Sequence, residues 1–243
     1  MDNYFVSSCK RVKDWICRQF GQKEKKTVHH KKFADGGEVI VWETGRAGEE
    51  AASYENLFLR KEIAGFRTNI RREQSCSIKS LTRDYLYKQL LSSGEYTFDH
   101  MLVIKDPYGE APLTALALFI LEEPACVRVT TKGNLKETDF VTELPKKKEH
   151  RVPILGMYAE KANDIVIEIL DDEGNCVKSH TFTIRTKRLP KSLRNVITVK
   201  KWTDKPAYSN IMINGGVKIH TCVFDIEGEI RYYLSRKPRG YGI

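Results

Sequence analysis

Histidine and cysteine are the side chains here best suited to nucleophilic, redox or metal chemistry, and the sequence carries six of each. The cysteines, Cys9, Cys17, Cys76, Cys126, Cys176 and Cys222, contain no C-x-x-C pair, so their spacing predicts neither a zinc site nor a dithiol redox motif. Free thiols in a reducing compartment are the expectation. On a helix, Cys9 and Cys17 would stand about 12 Å apart along the axis, too far for a disulfide. His29 and His30 lie in a basic stretch with no acidic or cysteine ligand spaced with them, which predicts a solvated pair. His100, His150 and His180 are expected at strand edges or turns, and His220 just ahead of a strand pair; none is assigned as a catalytic residue.

Two further patterns imitate ligand sites. Asp225, Glu227 and Glu229 alternate around Gly228, but the set lacks the D-x-D-x-D-G spacing and distal glutamate of a calcium loop, so a glycine turn is predicted. "INGG" (213–216) precedes no helical pattern and reads as a turn rather than a phosphate loop. No metal, cofactor or nucleotide is expected.

The elements that must position these side chains follow from periodicity. Phe5, Cys9, Val12, Ile16 and Phe20 recur at helical steps and predict a short amphipathic helix ending near Gly21. Gln22 to Ala52 is polar, basic and glycine-bearing, with "VIVW" (39–42) as its one short strand; most of it reads as linker. Helical spacing returns from Ser53 to Ser93, and Gly94 stands where a C-cap glycine belongs.

After Gly94 the period changes to that of strands. "HMLVIKDPYG" is an apolar run broken at Asp106-Pro107. Leu113 to Leu121 predicts a buried strand that stops at Pro124, and "CVRVTTKG" (126–133) a separate alternating strand. Asp164 to Thr186 reads as a hairpin turning at 171–175, with Ile165, Ile167 and Ile169 sharing one face and Val177, Phe182 and Ile184 on the return strand. The predicted fold class is mainly β with an N-terminal helical arm: a fibronectin type III or immunoglobulin-like β-sandwich.

Composition limits the function classes. With 41% hydrophobic and 30% charged residues and a net charge of +9, the chain carries enough apolar sequence for a core and has basic clusters at 21–33, 144–151 and 235–240. Aromatics do not interleave with these clusters, so solvated loops are predicted and nucleic acid is not a predicted partner. No run reaches the length of a spanning helix, and Lys10, Arg11, Lys13 and Asp14 occupy the place of a signal peptide's apolar segment. A membrane is not a predicted partner, and a cytoplasmic location is expected.

"DPYGEAPLTALALF", "EHRVPILGMYAEKANDIVIEILDDEGN", "FTIRTKRLP" and "FDIEGEIRYYL", in that order, resemble the N-terminal domain of the aryl-sulfate sulfotransferases that do not use phosphoadenosine phosphosulfate. The resemblance covers about 94–234. Its signature positions are Pro107, Tyr108, Gly109, Pro112, Leu113, Thr114 and Ala115; then His150, Arg151, Pro153 and Gly156; and last Asp225, Gly228, Arg231 and Tyr232, all expected to be structural.

The resemblance implies a sandwich ahead of a six-bladed propeller. There a histidine takes the sulfuryl group from a phenolic sulfate and passes it to a phenol, without a nucleotide cofactor. Neutral imidazole is a competent nucleophile near pH 7, and cationic neighbours stabilise charge spreading on the sulfonyl oxygens. A blade needs four strands and roughly 40–50 residues, so the stretch after Pro190 has room for one.

The organisation predicted is therefore 1–52, helix and basic linker; 53–93, helical arm; 94–190, β-sandwich; 191–243, first strands of an incomplete propeller. On this reading the chain is the N-terminal part of such an enzyme without its catalytic propeller. Phenolic sulfate and phenol would be partners of the complete enzyme. The alternative is a non-catalytic binding or assembly module that forms a homodimer or pairs with propeller strands through an open edge.

Overall fold

A computed structural model of the chain describes residues 28–33, 37–65, 72–195, 197–198, 210–213 and 221–235, with backbone alone for 55–65, 72–78 and 210–213. The amphipathic helix expected before Gly21 lies outside the described residues, as do Cys9, Cys17 and His220. In chain order the strands and helices are β1 (Val28–Lys32), β2 (Glu38–Trp42), α1 (Thr44–Gly65), α2 (Arg72–Ser92), β3 (His100–Lys105), β4 (Ala115–Thr131) and β5 (Phe140–Ile154). β6 (Ala162–Leu170), β7 (Cys176–Arg185), β8 (Asn210–Ile213), β9 (Cys222–Asp225) and β10 (Ile230–Tyr233) complete the series.

One seven-stranded sheet runs β1-β2-β3-β4-β6-β7, with β5 paired to β4, and curls until it nearly closes. Every pair is antiparallel except β2 with β3. β4 generates the curl. Its first half pairs with β3 and its second half with β6, while β5 follows it along both halves. Between Ile120 and Val127 the β4–β5 register shifts twice, and Pro124 sits in that irregular stretch, where no ladder hydrogen bond is asked of it. The break expected at Pro124 is therefore a bend within one strand, because a bulge absorbs the proline without ending the pairing.

Val39, Met101, Val103, Ala117, Phe119, Val152, Ile154, Ile165, Ile167, Phe182 and Ile184 fill the inside of the curl. The opposite face of β3 and the first half of β4, with Leu102, Ile104, Leu116 and Leu118, is covered by Ala47 and Ala51 of α1 and Leu86, Tyr87 and Leu91 of α2. "ALALF" is thus buried on both faces, which explains an unbroken apolar run where a one-sided strand would alternate. Gly94, at φ 75°, ends α2 as expected, its N–H donating to the Leu91 carbonyl.

Three more expectations about the fold need correction. Much of 22–52 is not linker: β1 and β2 extend the sheet, and α1 begins at Thr44 to cover it. The signal was muted because β1, "VHHKK", is an edge strand with every residue exposed, where charge is tolerated. Likewise "LPKKKEHR" is not a loop but the middle of β5, exposed from Pro145 to Glu149, and β5 pairs only with β4. Val177 is 68% exposed, because alternation on β7 turns His180, Phe182 and Ile184 inward and leaves odd positions outside.

β8, β9 and β10 form a separate three-stranded antiparallel sheet. It packs on the curled sheet through Cys222, Phe224, Ile230 and Tyr233, which join the same core. "VITVKKW" shows no strand at 197–198 and otherwise lies outside the described residues, as does 214–216 of "INGG".

Candidate functional site

Most signature residues assemble in two places, while His150 and Pro153 stand in β5 opposite Phe119 and Leu116 of β4. The first is built by α2 and the turn between β3 and β4. Asp106, at φ 43°, accepts the Ala111 N–H at 2.9 Å on Oδ1, and its own N–H donates to the Thr114 carbonyl at 2.8 Å. That turn presents the Pro107 carbonyl to α2, where it accepts from Arg83 Nη1 at 2.6 Å and from the Tyr87 hydroxyl. The Tyr108 hydroxyl donates to Asp84 at 2.6 Å, and Arg151 of β5 donates to the same carboxylate oxygen at 2.5 Å and to Tyr108 at 3.1 Å.

Burial raises the pKa of Asp106, outweighing its backbone hydrogen bonds. Burial, followed by the bond to Asp84, pushes Tyr108 up to about 12. Beside the turn lies an open groove of about 420 Å³, edged by Asp84, Asp106, Tyr108, Glu110 and Tyr232. Three carboxyl groups at its wall disfavour an anionic ligand such as a sulfate ester. This corner is a helix-to-sheet tether, and Pro112, Leu113, Thr114 and Ala115 lead from it into β4.

The second place joins the two sheets. Arg231 of β10 is fully buried; its Nε donates to the Gly156 carbonyl at 2.7 Å, and Nη1 to the Thr138 carbonyl at 2.8 Å, the Tyr158 hydroxyl at 3.0 Å and Asp225 Oδ2 at 3.0 Å. The guanidinium lies 3.9 Å from the centre of the Tyr158 ring, a cation–π contact. Asp225 Oδ2 also accepts from Tyr158 at 3.1 Å, while Oδ1 accepts the N–H groups of Glu227 and Glu229. The acidic triad is therefore a turn, with Gly228 at φ 84°. Arg231 Nη2 has no hydrogen-bond partner among the described residues.

Two of the histidines take places other than those expected of them. His150 lies inside β5, stacked on Phe119 with centroids 5.3 Å apart, and its Nε2 bonds the Lys147 carbonyl at 2.9 Å; burial lowers its pKa. His180 is sandwiched between Phe33 at 4.1 Å and Phe98 at 4.6 Å, with Nε2 2.8 Å from Asp99. Both are core residues, in place of the strand edges expected. His29, His30 and His100 are exposed near Glu43 and Glu38. Among the described residues no three His, Cys, Asp or Glu side chains form a group that could hold a metal. Sequence reasoning gave no role to Tyr158, Thr138 and Asp84, which supply partners of Arg231, Tyr108 and Arg151; Tyr158 lies in the quoted stretch that begins "EHRVPILGMY", whereas Thr138 and Asp84 lie outside the quoted segments.

Residues 102–187 match the family described as the arylsulfotransferase Ig-like domain. They are an N-terminal Ig-like domain of the arylsulfotransferases. No curated protein matches the chain. The Ig-like domain spans β3 to β7 and holds the first group of signature residues together with Gly156, whereas Asp225, Gly228 and Arg231 grip it from outside the matched segment. No helix among the described residues is long and apolar enough to cross a membrane.

Proposed function

We propose that the chain serves an arylsulfotransferase as its non-catalytic N-terminal module, holding in place the strands from which a catalytic propeller begins. The activity of the complete enzyme is sulfuryl transfer from a phenolic sulfate ester to a phenol through a sulfo-histidine. The observation that carries this reading is the Arg231 clasp. A fully buried arginine of β10 commits Nε and Nη1 to the Ig-like domain and its charge to Asp225, so this ion pair works as a clasp between the two sheets.

The described histidines agree with a supporting role. A sulfuryl-transfer histidine needs an accessible nitrogen beside cationic or hydrogen-bonding groups. His150 and His180 are 2% exposed, and His29, His30 and His100 have glutamates as their charged neighbours. The test is to incubate the purified chain with 4-nitrophenyl sulfate and phenol. No phenol-dependent release of 4-nitrophenol above a heat-killed control is expected, and sustained release would overturn the reading.

A second reading, a binding or assembly module, draws on β5, which pairs on one side only and leaves Val141 53% exposed. Light scattering at tens of micromolar decides it: a dimer or larger supports assembly, and a monomer counts against it.

A further inference from the structure

The contacts of Arg231 have a geometry that family boundaries do not capture. Thr138 lies just ahead of β5 and Gly156 just beyond its end, yet a Cβ built on Gly156 would lie 2.6 Å from Cβ of Phe140, the first residue of β5. The β4–β5 ribbon has therefore curled far enough to bring its two ends together. Arg231 donates to a carbonyl from each end, at Thr138 and Gly156, and stacks on Tyr158 of the following loop. Three acceptors and a ring face from the Ig-like domain thus converge on one guanidinium.

The other side of the contact is equally specified. Asp225 and Arg231 flank a glycine turn as D-x-x-G-x-x-R. One oxygen of Asp225 holds the turn's N–H groups, and the other meets Arg231 and Tyr158. Gly228 supplies the left-handed turn residue, its N–H donating to the Asp225 carbonyl at 2.9 Å. Only a planar guanidinium offers donors in several fixed directions at once, so lysine cannot replace it at this site. Buried carbonyls lose their hydrogen bonds if the donor is removed, which ties the turn and the ribbon ends energetically.

We propose that the surface formed by Thr138, Gly156 and Tyr158 is a recognition site for a β-hairpin of the pattern D-x-x-G-x-x-R, filled by β9–β10, and that this hairpin belongs to the folding unit of the Ig-like domain. The domain then extends past residue 187 to about Ser235. An arginine-bearing hairpin supplied separately fits the same site.

Hydrogen exchange on the intact 243-residue protein tests this. In the wild type, the amides of Asn134, Thr138 and Tyr158, all hydrogen-bonded, should open together with those of β9–β10. Opening of β9–β10 at least tenfold more frequent than at those three positions would overturn the proposal. In Arg231→Met, exchange at the three positions should rise at least tenfold, and a rise of less than about twofold would count against the proposal. A synthetic peptide spanning 221–235 should restore their protection saturably, and the same peptide carrying Arg231→Met should not. Equal effects of the two peptides would sink the recognition site. If Arg231→Met does not fold, the wild-type comparison decides alone.

Discussion

Nη1 of Arg231 lies 3.0 Å from Oδ2 of Asp225, with the two side chains 1% and 0% exposed. Two charges so removed from water each carry a desolvation cost of several kcal/mol, offset only because the guanidinium also meets two carbonyls and a tyrosine hydroxyl. Asp225→Asn keeps an oxygen for the turn N–H groups but leaves Arg231 without its counter-charge. Urea denaturation should show a loss of about 3 kcal/mol. Glu143→Gln, which removes the exposed partner of Arg128, should stay within about 0.5 kcal/mol.

Gly156 combines a φ of 76° with a side-chain direction blocked by Phe140. Gly156→Ala meets both the left-handed penalty and a clash with Cβ of Phe140, which no rotamer change can move, and should cost roughly 2 kcal/mol or more. Gly174, at φ 85° with nothing within 4 Å, isolates the backbone part. Gly174→Ala should cost about 1 kcal/mol, and thermal melts of the two variants measure the difference.

At Asp106, burial raises the folded-state pKa above that of the unfolded chain. The folded protein therefore holds this proton more tightly. Its contribution to stability is present below about pH 3.9 and is lost as pH rises through the folded value. Asp106→Asn keeps an acceptor for Ala111 and tolerates the positive φ, while removing a buried charge. A rise in Tm of about 2–4 °C at pH 7 is expected, shrinking toward zero near pH 3.5.

His150 shifts the other way, its folded-state pKa lowered by burial. The unfolded chain takes up the proton first, so stability falls as pH drops below about 6.5 toward the folded value. Asp99, its pKa lowered by hydrogen bonds from Lys178 and then His180, adds a loss at lower pH, below about 3.9. Denaturation midpoints measured every half pH unit should decline in two stages. His150→Phe, which preserves the stack on Phe119, should flatten the first and leave the second.

Residue pattern and tertiary structure contributed differently at the turn Asp106 to Ala111. Proline, glycine and aspartate mark a turn by local conformational preference alone, and the hairpin at 171–175 was legible for the same reason: Asp171 caps it through Glu173 and Asn175, and Gly174 supplies the positive φ. That the Pro107 carbonyl is held by Arg83 and Tyr87 follows instead from the packing of α2 across β3 and β4. A side chain 20 or more residues away leaves no periodic trace at the turn.

Strand identity was likewise local, and strand continuity was not. Pro124 and the charges around it announce a break, yet β5 pairs with both halves of β4 and carries the strand through the bend. His180 shares the parity of Phe182 and Ile184, so alternation alone could have turned it inward; its stacking between Phe33 and Phe98 depended on the sheet curling until β7 met the β1–β2 connection.

The sequence by itself determined the β character, the turns, the presence of helices ahead of the strands and the Ig-like family, because these rest on backbone preference, burial periodicity and order along the chain. Only the tertiary structure decided that Arg231 and Asp225 close the Ig-like domain. The partners of Arg231 at Thr138 and Gly156 lie 93 and 75 residues away, and they converge only when the β4–β5 ribbon bends far enough for its two ends to meet.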